Sequence, residues 1–160
     1  MTRTDSTLDK DKIAVLLPAY NEAQTISSTI KAFHTALPDA FIIVINNNSQ
    51  DDTARLANAC IAELGCRGEV INEARQGKAN AVRRAFLEVE ADIYLMADAD
   101  LTYPADRAKD LIAPIASGEA DMVVGDRRSG GEYARENKRA MHGFGNDLVQ
   151  KLVNFLFKAK

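Results

Sequence analysis

The 160-residue sequence predicts an α/β sandwich, a mainly parallel sheet with helices on both faces. Three observations carry that expectation. Short apolar runs alternate with amphipathic segments along the chain, the pattern of strand–helix–strand units. The runs are continuously apolar rather than alternating, as in strands buried on both faces. Clusters of polar residues follow the runs at their carboxyl ends, where open parallel sheets bind ligands.

Residues 1–11 are polar and charged and read as a flexible lead-in; residues 12–160 read as one domain. The first strand is Ile13-Ala14-Val15-Leu16-Leu17, stopped at Pro18. Asn21 is expected to cap a helix, with Glu22 in its first turn and Ile26, Ile30, Phe33 and Leu37 on its apolar stripe. Phe41 to Ile45 forms a second strand, closed by Asn46-Asn47-Asn48-Ser49. A helix from about Asp51 turns Leu56, Ala59 and Ile61 to Leu64 inward. A third strand lies near Glu69 to Ile71, followed by a turn at Gly77 and a helix over Lys78 to Val89. Ile93 to Met96 is a fourth strand, and Pro104 opens a helix over 104–117. Asp121 to Gly125 reads as a fifth strand, Ser129-Gly130-Gly131 as a loop, and Asn137 to Phe157 as a long helix.

Composition narrows the function. The chain has 46% hydrophobic and 27% charged residues, enough for one core, and a net charge of −3, which argues against nucleic-acid binding by bulk charge. Residues 127–160 hold eight Lys/Arg against three acidic residues, so a +5 tail follows a −8 remainder. Such a basic third suits a phosphate-bearing partner or a membrane surface; a solvated helix face is the plain alternative. Cys60 and Cys66 match no metal or redox spacing, which points to free thiols in a reducing compartment. The polar start lacks the apolar stretch of a secretion signal, and no apolar run approaches a membrane span.

Asp98-Ala99-Asp100 is the sharpest signal. Two carboxylates one residue apart follow an apolar strand, and in extended backbone both project to one side. Together they suit a hard cation that also takes substrate phosphate oxygens. Pro18-Ala19-Tyr20-Asn21-Glu22 offers a ring to pack on a nucleobase at the first strand end. The Asn46 to Thr53 stretch carries amides able to bond base or ribose edges, although a turn into a helix explains part of it. Arg75-Gln76-Gly77-Lys78 places cations beside a glycine at a helix start, suited to phosphate, but lacks the spacing of a Walker loop. Arg127 and Arg139 could grip a second phosphate by forked contacts. His34 and His142 lie singly on helical stretches and receive no role.

Five stretches together resemble the family-2 glycosyltransferases of GT-A, Rossmann-like fold: Val15 to Glu22, Val44 to Thr53, Gly77 to Val82, Leu95 to Leu101, and Met122 to Arg127. Within that family the chain is most similar to the polyprenyl-phosphate and dolichyl-phosphate mannose or glucose synthases. The resemblance implies a UDP- or GDP-sugar donor, Mg²⁺ or Mn²⁺, inversion at the anomeric carbon, and a lipid-phosphate acceptor. It implies that Pro18, Ala19, Tyr20, Glu22, Val44, Asn46, Asn47, Lys78, Asp98, Ala99 and Asp100 line the nucleotide-sugar site. Asp98 and Asp100 would hold the metal, Arg127 and Arg139 the acceptor phosphate, and Asp100 and Arg127 would carry the catalytic charge work.

Two departures qualify the likeness. The family usually has Asp where this chain has Asn46 and Asn47. Its members also continue past the position of Lys160, so this chain reads as shortened at its C-terminus. Met141, Phe144, Leu148, Leu152, Phe155 and Leu156 form an apolar stripe that expects a cover: further chain, a second copy or lipid. The expected location is the cytoplasm, with peripheral contact to the inner membrane face. The alternative function is a nucleotide-sugar-binding module acting through a partner. A dinucleotide-binding dehydrogenase is disfavoured, because Pro18-Ala19-Tyr20 stands where a Gly-x-Gly-x-x-Gly loop would be.

Overall fold

The computed structural model describes residues 12–125. Its elements follow the expected order: β1 (Ile13–Ala19), α1 (Ile26–Ala36), β2 (Phe41–Asn46), α2 (Thr53–Leu64), β3 (Gly68–Asn72), α3 (Lys78–Glu88) and β4 (Ile93–Met96). A short 3-10 turn (Ala105–Arg107) then leads into α4 (Ala108–Ala116). Among the described residues the sheet has four parallel strands, in the order β3-β2-β1-β4.

The continuous apolar runs are explained by what covers each face. Val15, Leu17, Ile42 and Val44 pack with Ile26, Ile30 and Phe33 of α1, Ala57, Cys60 and Ile61 of α2, and Ala108 and Ile112 of α4. The alternate residues Ala14, Leu16, Ile43 and Ile45 face Ala81 and Ala85 of α3. Successive strand residues point to opposite faces, so a strand covered by helices on both sides has no position for a polar residue. Each fully buried Val, Leu or Ile side chain contributes about 1.5–3 kcal/mol; β1 holds three in a row, Val15 to Leu17, and β2 four, Ile42 to Ile45.

Strand order places the site. From β1 the chain steps outward to β2 and β3, then returns across β1 to lay down β4. Direction therefore reverses between β1 and β4, and the carboxyl ends of these two strands flank a topological switch point. Register aligns Leu16 of β1 with Met96 of β4, and Ala97 N–H extends the ladder to the Leu16 carbonyl at 3.1 Å. The loops after Ala19 and Met96 thus leave the sheet side by side.

Several boundaries differ from the sequence expectation. Asn21 does not cap α1: it has φ +57, a turn follows, and the helix starts at Ile26. The amides of Thr25 and Ile26 both donate to the Glu22 carbonyl, which closes that turn. In α2 the buried positions are Thr53, Ala57, Cys60 and Ile61; Leu56 and Leu64 are half-buried, and Ala59, Ala62 and Glu63, expected inward, face solvent. Asp121 to Gly125 forms no strand: Met122 and Val124 are 78% and 75% exposed, and among the described residues β4 pairs only with β1. An apolar run gains strand structure only where a neighbour takes its backbone hydrogen bonds. The Gly-rich loop 129–131 and the helix expected over 137–157 lie outside the described residues. Cys60 is buried and Cys66 partly buried, and both are free thiols.

Candidate nucleotide-sugar site

The loops after β1 and β2 are sewn together by side chains. Asn21 N–H donates to Ser49 Oγ at 3.0 Å, and Gln50 N–H donates to Asn21 Oδ1 at 2.8 Å. Glu22 N–H donates to Thr53 Oγ1 at 2.8 Å, and Ala23 N–H to Asp51 Oδ2 at 3.0 Å. Asp51 also accepts from the Thr53 amide and hydroxyl. Partial burial pushes the Asp51 carboxyl up, but these hydrogen bonds outweigh it and hold the group below its ordinary value. Asn21 and Asn48 take left-handed backbone, which Asn tolerates better than most residues. The result holds Tyr20 at the surface, 45% exposed, on a loop whose neighbours are fixed.

Asn46 and Asn47 have different fates. Asn46 is half-buried at the end of β2; its Nδ2 donates to Asn72 Oδ1 at 2.8 Å and its Oδ1 accepts the Ser49 amide at 3.3 Å. Asn47 is 3% exposed, and its amide is spent on the loop after β3. Its Oδ1 accepts the Gly77 N–H at 2.6 Å, and its Nδ2 donates to the carbonyls of Arg75 at 2.8 Å and Glu73 at 3.4 Å. Gly77 has φ +123, a conformation open to glycine and strained for other residues. The Gly77 carbonyl then accepts the Asn80 and Ala81 amides and starts α3.

Glu73 is the second fastener of this loop. It is 3% exposed, and its carboxylate accepts from the Arg75 amide at 2.8 Å and from the Arg75 guanidinium at 2.9 and 3.0 Å. Those contacts from Arg75 hold its pKa down at about 2, against an ordinary 4.5. A value depressed by folding gives stability that is complete above the unfolded value and is lost as pH falls through the folded one. Stability is therefore expected to decline as pH drops from 4.5 toward 2. Denaturant midpoints at about pH 5 and about pH 3 should differ less in Glu73→Gln than in the parent chain.

Asp98-Ala99-Asp100 follows β4, but not as extended backbone. The strand ends at Met96, a turn begins at Ala99, and Leu101 has φ +65. Alternation along a strand therefore does not govern where the two carboxylates point. Ala99 is buried, and its carbonyl accepts from Thr29 Oγ1 of α1 at 3.1 Å. That bond anchors the middle of the motif to the helix below. Asp100 Oδ1 accepts the Thr102 amide at 3.1 Å and the Thr102 hydroxyl at 2.6 Å, which orients its carboxylate. Asp98 is half-buried and forms an ion pair with the Lys78 ammonium.

The donor set fits a hard divalent cation. A cation already lies on Asp98 in the form of the Lys78 ammonium. Carboxylate oxygens are the ligands Mg²⁺ and Mn²⁺ prefer. Among the described residues no group of three or more His, Cys, Asp or Glu side chains could enclose a metal. Two carboxylates make an incomplete shell, which a substrate diphosphate can complete.

The structure thus brings Pro18, Ala19, Tyr20, Glu22, Asn46, Asp98, Ala99 and Asp100 to the carboxyl edge of one parallel sheet, with Lys78 joined to Asp98. Glu22 turns its carboxylate to the Thr25 hydroxyl at 2.8 Å. Val44 is wholly buried in the core, so only its backbone is near this edge. Arg127 and Arg139 lie outside the described residues. Sequence reasoning passed over Thr29 and Glu73 as site-shaping residues, and took the Asn46 to Thr53 stretch as a whole without giving Asp51 and Thr53 their part in fastening it. Thr29 had a legible signal, a polar residue on the stripe Ile26, Ile30, Phe33; Glu73, a lone acid after a strand, had none.

Comparison with known proteins gives the family and the fold. The Glycosyl transferase family 2 model matches residues 14–158. Protein RfbJ of Shigella flexneri is 43% identical over 120 residues, covering 75% of this chain and 88% of that one. A dolichol-phosphate mannosyltransferase of Pyrococcus furiosus is 29% identical over 143 residues, covering 88% of this chain and 38% of that one. Glucosyl-3-phosphoglycerate synthase of Mycobacterium tuberculosis, solved with Mn²⁺, UDP-glucose and phosphoglyceric acid, superposes with a TM-score of 0.57 at 28% identity. That alignment covers 74% of this chain and 46% of the synthase, so the chain spans less than half the length of the last two relatives. The shared fold accords with the sandwich expected from sequence. With the family match running over nearly all of its length, the chain belongs to glycosyl transferase family 2.

Proposed function

We propose that this chain transfers a sugar from a UDP- or GDP-sugar to an anionic acceptor, a polyprenyl phosphate, with inversion at the anomeric carbon. The observation that carries the reading is the placement of Asp98-Ala99-Asp100 beside the β1 and β2 loops, at the switch point of a parallel sheet. Tyr20 packs on the base, with Pro18, Ala19, Glu22 and Asn46 shaping its pocket and Val44 and Asn47 supporting it from behind. Lys78 and the Asp98/Asp100 pair take the diphosphate end. Bound Mg²⁺ or Mn²⁺ supplies neutralisation of the charge that builds on the departing diphosphate. The acceptor phosphate oxygen forms a bond to the anomeric carbon as the bond to the diphosphate breaks. That oxygen is anionic at neutral pH, so the chain needs no strong general base. Arg127 and Arg139 hold the acceptor phosphate, and Asp100 and Arg127 carry the electrostatic work.

No helix among the described residues is long and apolar enough to cross a membrane. A lipid acceptor would be met from the cytoplasmic face. Calorimetry with UDP- and GDP-sugars, with and without Mn²⁺, tests the donor site, and turnover with a polyprenyl phosphate tests the reaction. Metal-dependent binding without turnover would favour a binding module acting through a partner; no metal-dependent binding would sink both. Tyr20→Ala is expected to weaken nucleotide binding about tenfold through lost stacking, while Tyr20→Phe leaves it within a small factor. Equal affinity for all three proteins in the same titration would remove Tyr20 from the base pocket.

A further inference from the structure

We propose that Lys78 is a resident counter-ion for Asp98, displaced onto the donor diphosphate when a metal binds. This rests on the reading of Asp98 and Asp100 as the metal-holding pair. The ion pair joins the first residue of α3 to the loop after β4. Its two sides are held very differently. The backbone around Lys78 is fixed, because buried Asn47 grips Gly77 and Arg75 and Glu73 grips Arg75 again. The Lys78 side chain is 55% exposed, a single charge on a flexible four-carbon stem. It can leave Asp98 without any movement of the loop.

Electrostatics then orders the events. Among the described residues the Asp98/Asp100 pair has Lys78 as its ion-pair partner, which neutralises one of the two carboxylates. A divalent ion and an ammonium repel one another at a shared carboxylate, so metal binding must push Lys78 aside. Metal alone therefore competes with Lys78 and binds weakly. A diphosphate changes the balance twice, by adding oxygen ligands for the metal and by giving the released ammonium a new anionic partner. Metal and nucleotide binding are consequently cooperative, and Lys78 is one source of the coupling.

The test is a Mn²⁺ titration followed by the electron paramagnetic resonance of the free ion, on the full 160-residue chain, with and without UDP. Exposed ion pairs are weak, so Lys78→Met should tighten binding of Mn²⁺ alone about two- to fivefold. The same variant should weaken UDP in the presence of Mn²⁺. Arg83→Gln, which removes a cation from the same face of α3 without touching Asp98, should leave Mn²⁺ affinity unchanged. Opposite signs for the two ligands support the exchange. Unchanged or weaker Mn²⁺ binding in Lys78→Met overturns it, as does an equal gain in Arg83→Gln. If Asp98→Asn leaves Mn²⁺ binding with UDP intact, the metal assignment itself fails, a different failure from that of Lys78.

Discussion

Asp98→Ala and Asp100→Ala should each reduce Mn²⁺-dependent affinity for UDP about 100-fold, since each removes a carboxylate of the pair proposed to hold the metal. The expectation has a sign that separates it from general damage. Without metal, UDP affinity should hold or rise slightly in either variant, because a negative charge has left the surroundings of the diphosphate. Asp98→Ala should show the larger rise, because it also releases the Lys78 ammonium from its ion pair. Calorimetry with EDTA and then with Mn²⁺ reads both arms. A loss of the same size in EDTA would mean that the variants had disturbed the loop rather than the metal, and intact Mn²⁺ dependence would remove the pair from the metal site.

Asn47→Ala carries the largest expected effect on stability. The substitution leaves the Gly77 N–H and the Arg75 and Glu73 carbonyls without their side-chain partner. Unsatisfied groups of this kind cost about 1–3 kcal/mol each when buried, and water can reach some of these, so a total near 2–3 kcal/mol is expected. That is a large share of the stability of an ordinary domain. Denaturant unfolding gives the number. The loop should also release Lys78, so UDP affinity in the surviving folded protein should fall along with the unfolding midpoint. An unchanged midpoint would show that Asn47 does not fasten the loop.

The fold was legible because burial on both sheet faces imposes a pattern that local sequence cannot disguise. Ile13 to Leu17 and Phe41 to Ile45 have no polar position, and Ile26, Ile30 and Phe33 recur at helical spacing. The start of α1 was misplaced because Asn21 is equally at home as a cap and in a left-handed turn, and only its partners Ser49 and Gln50 decide between them. The expected strand at Asp121 to Gly125 failed for a related reason: its residues suit a strand, but pairing depends on a neighbour. Asp98 and Asp100 stood out through their place after an apolar strand. The inward use of Asn47 did not, since an amide holding a loop and an amide reading a base look alike in sequence.

The reversal of strand order between β1 and β4 also has a kinetic meaning. Ile13 pairs with Ile93, about 80 positions away, and no hairpin shortens the route. Sheets joined by such distant partners fold slowly, because chain entropy is lost before the contacts that reward it are made. β1, β2 and β3 can assemble in sequence order, whereas β4 has to find β1 after three crossovers. The carboxylates of Asp98 and Asp100 are therefore expected to reach the loop after β1 only when β4 docks. Slow refolding phases and recovery of nucleotide binding should accordingly share one rate constant.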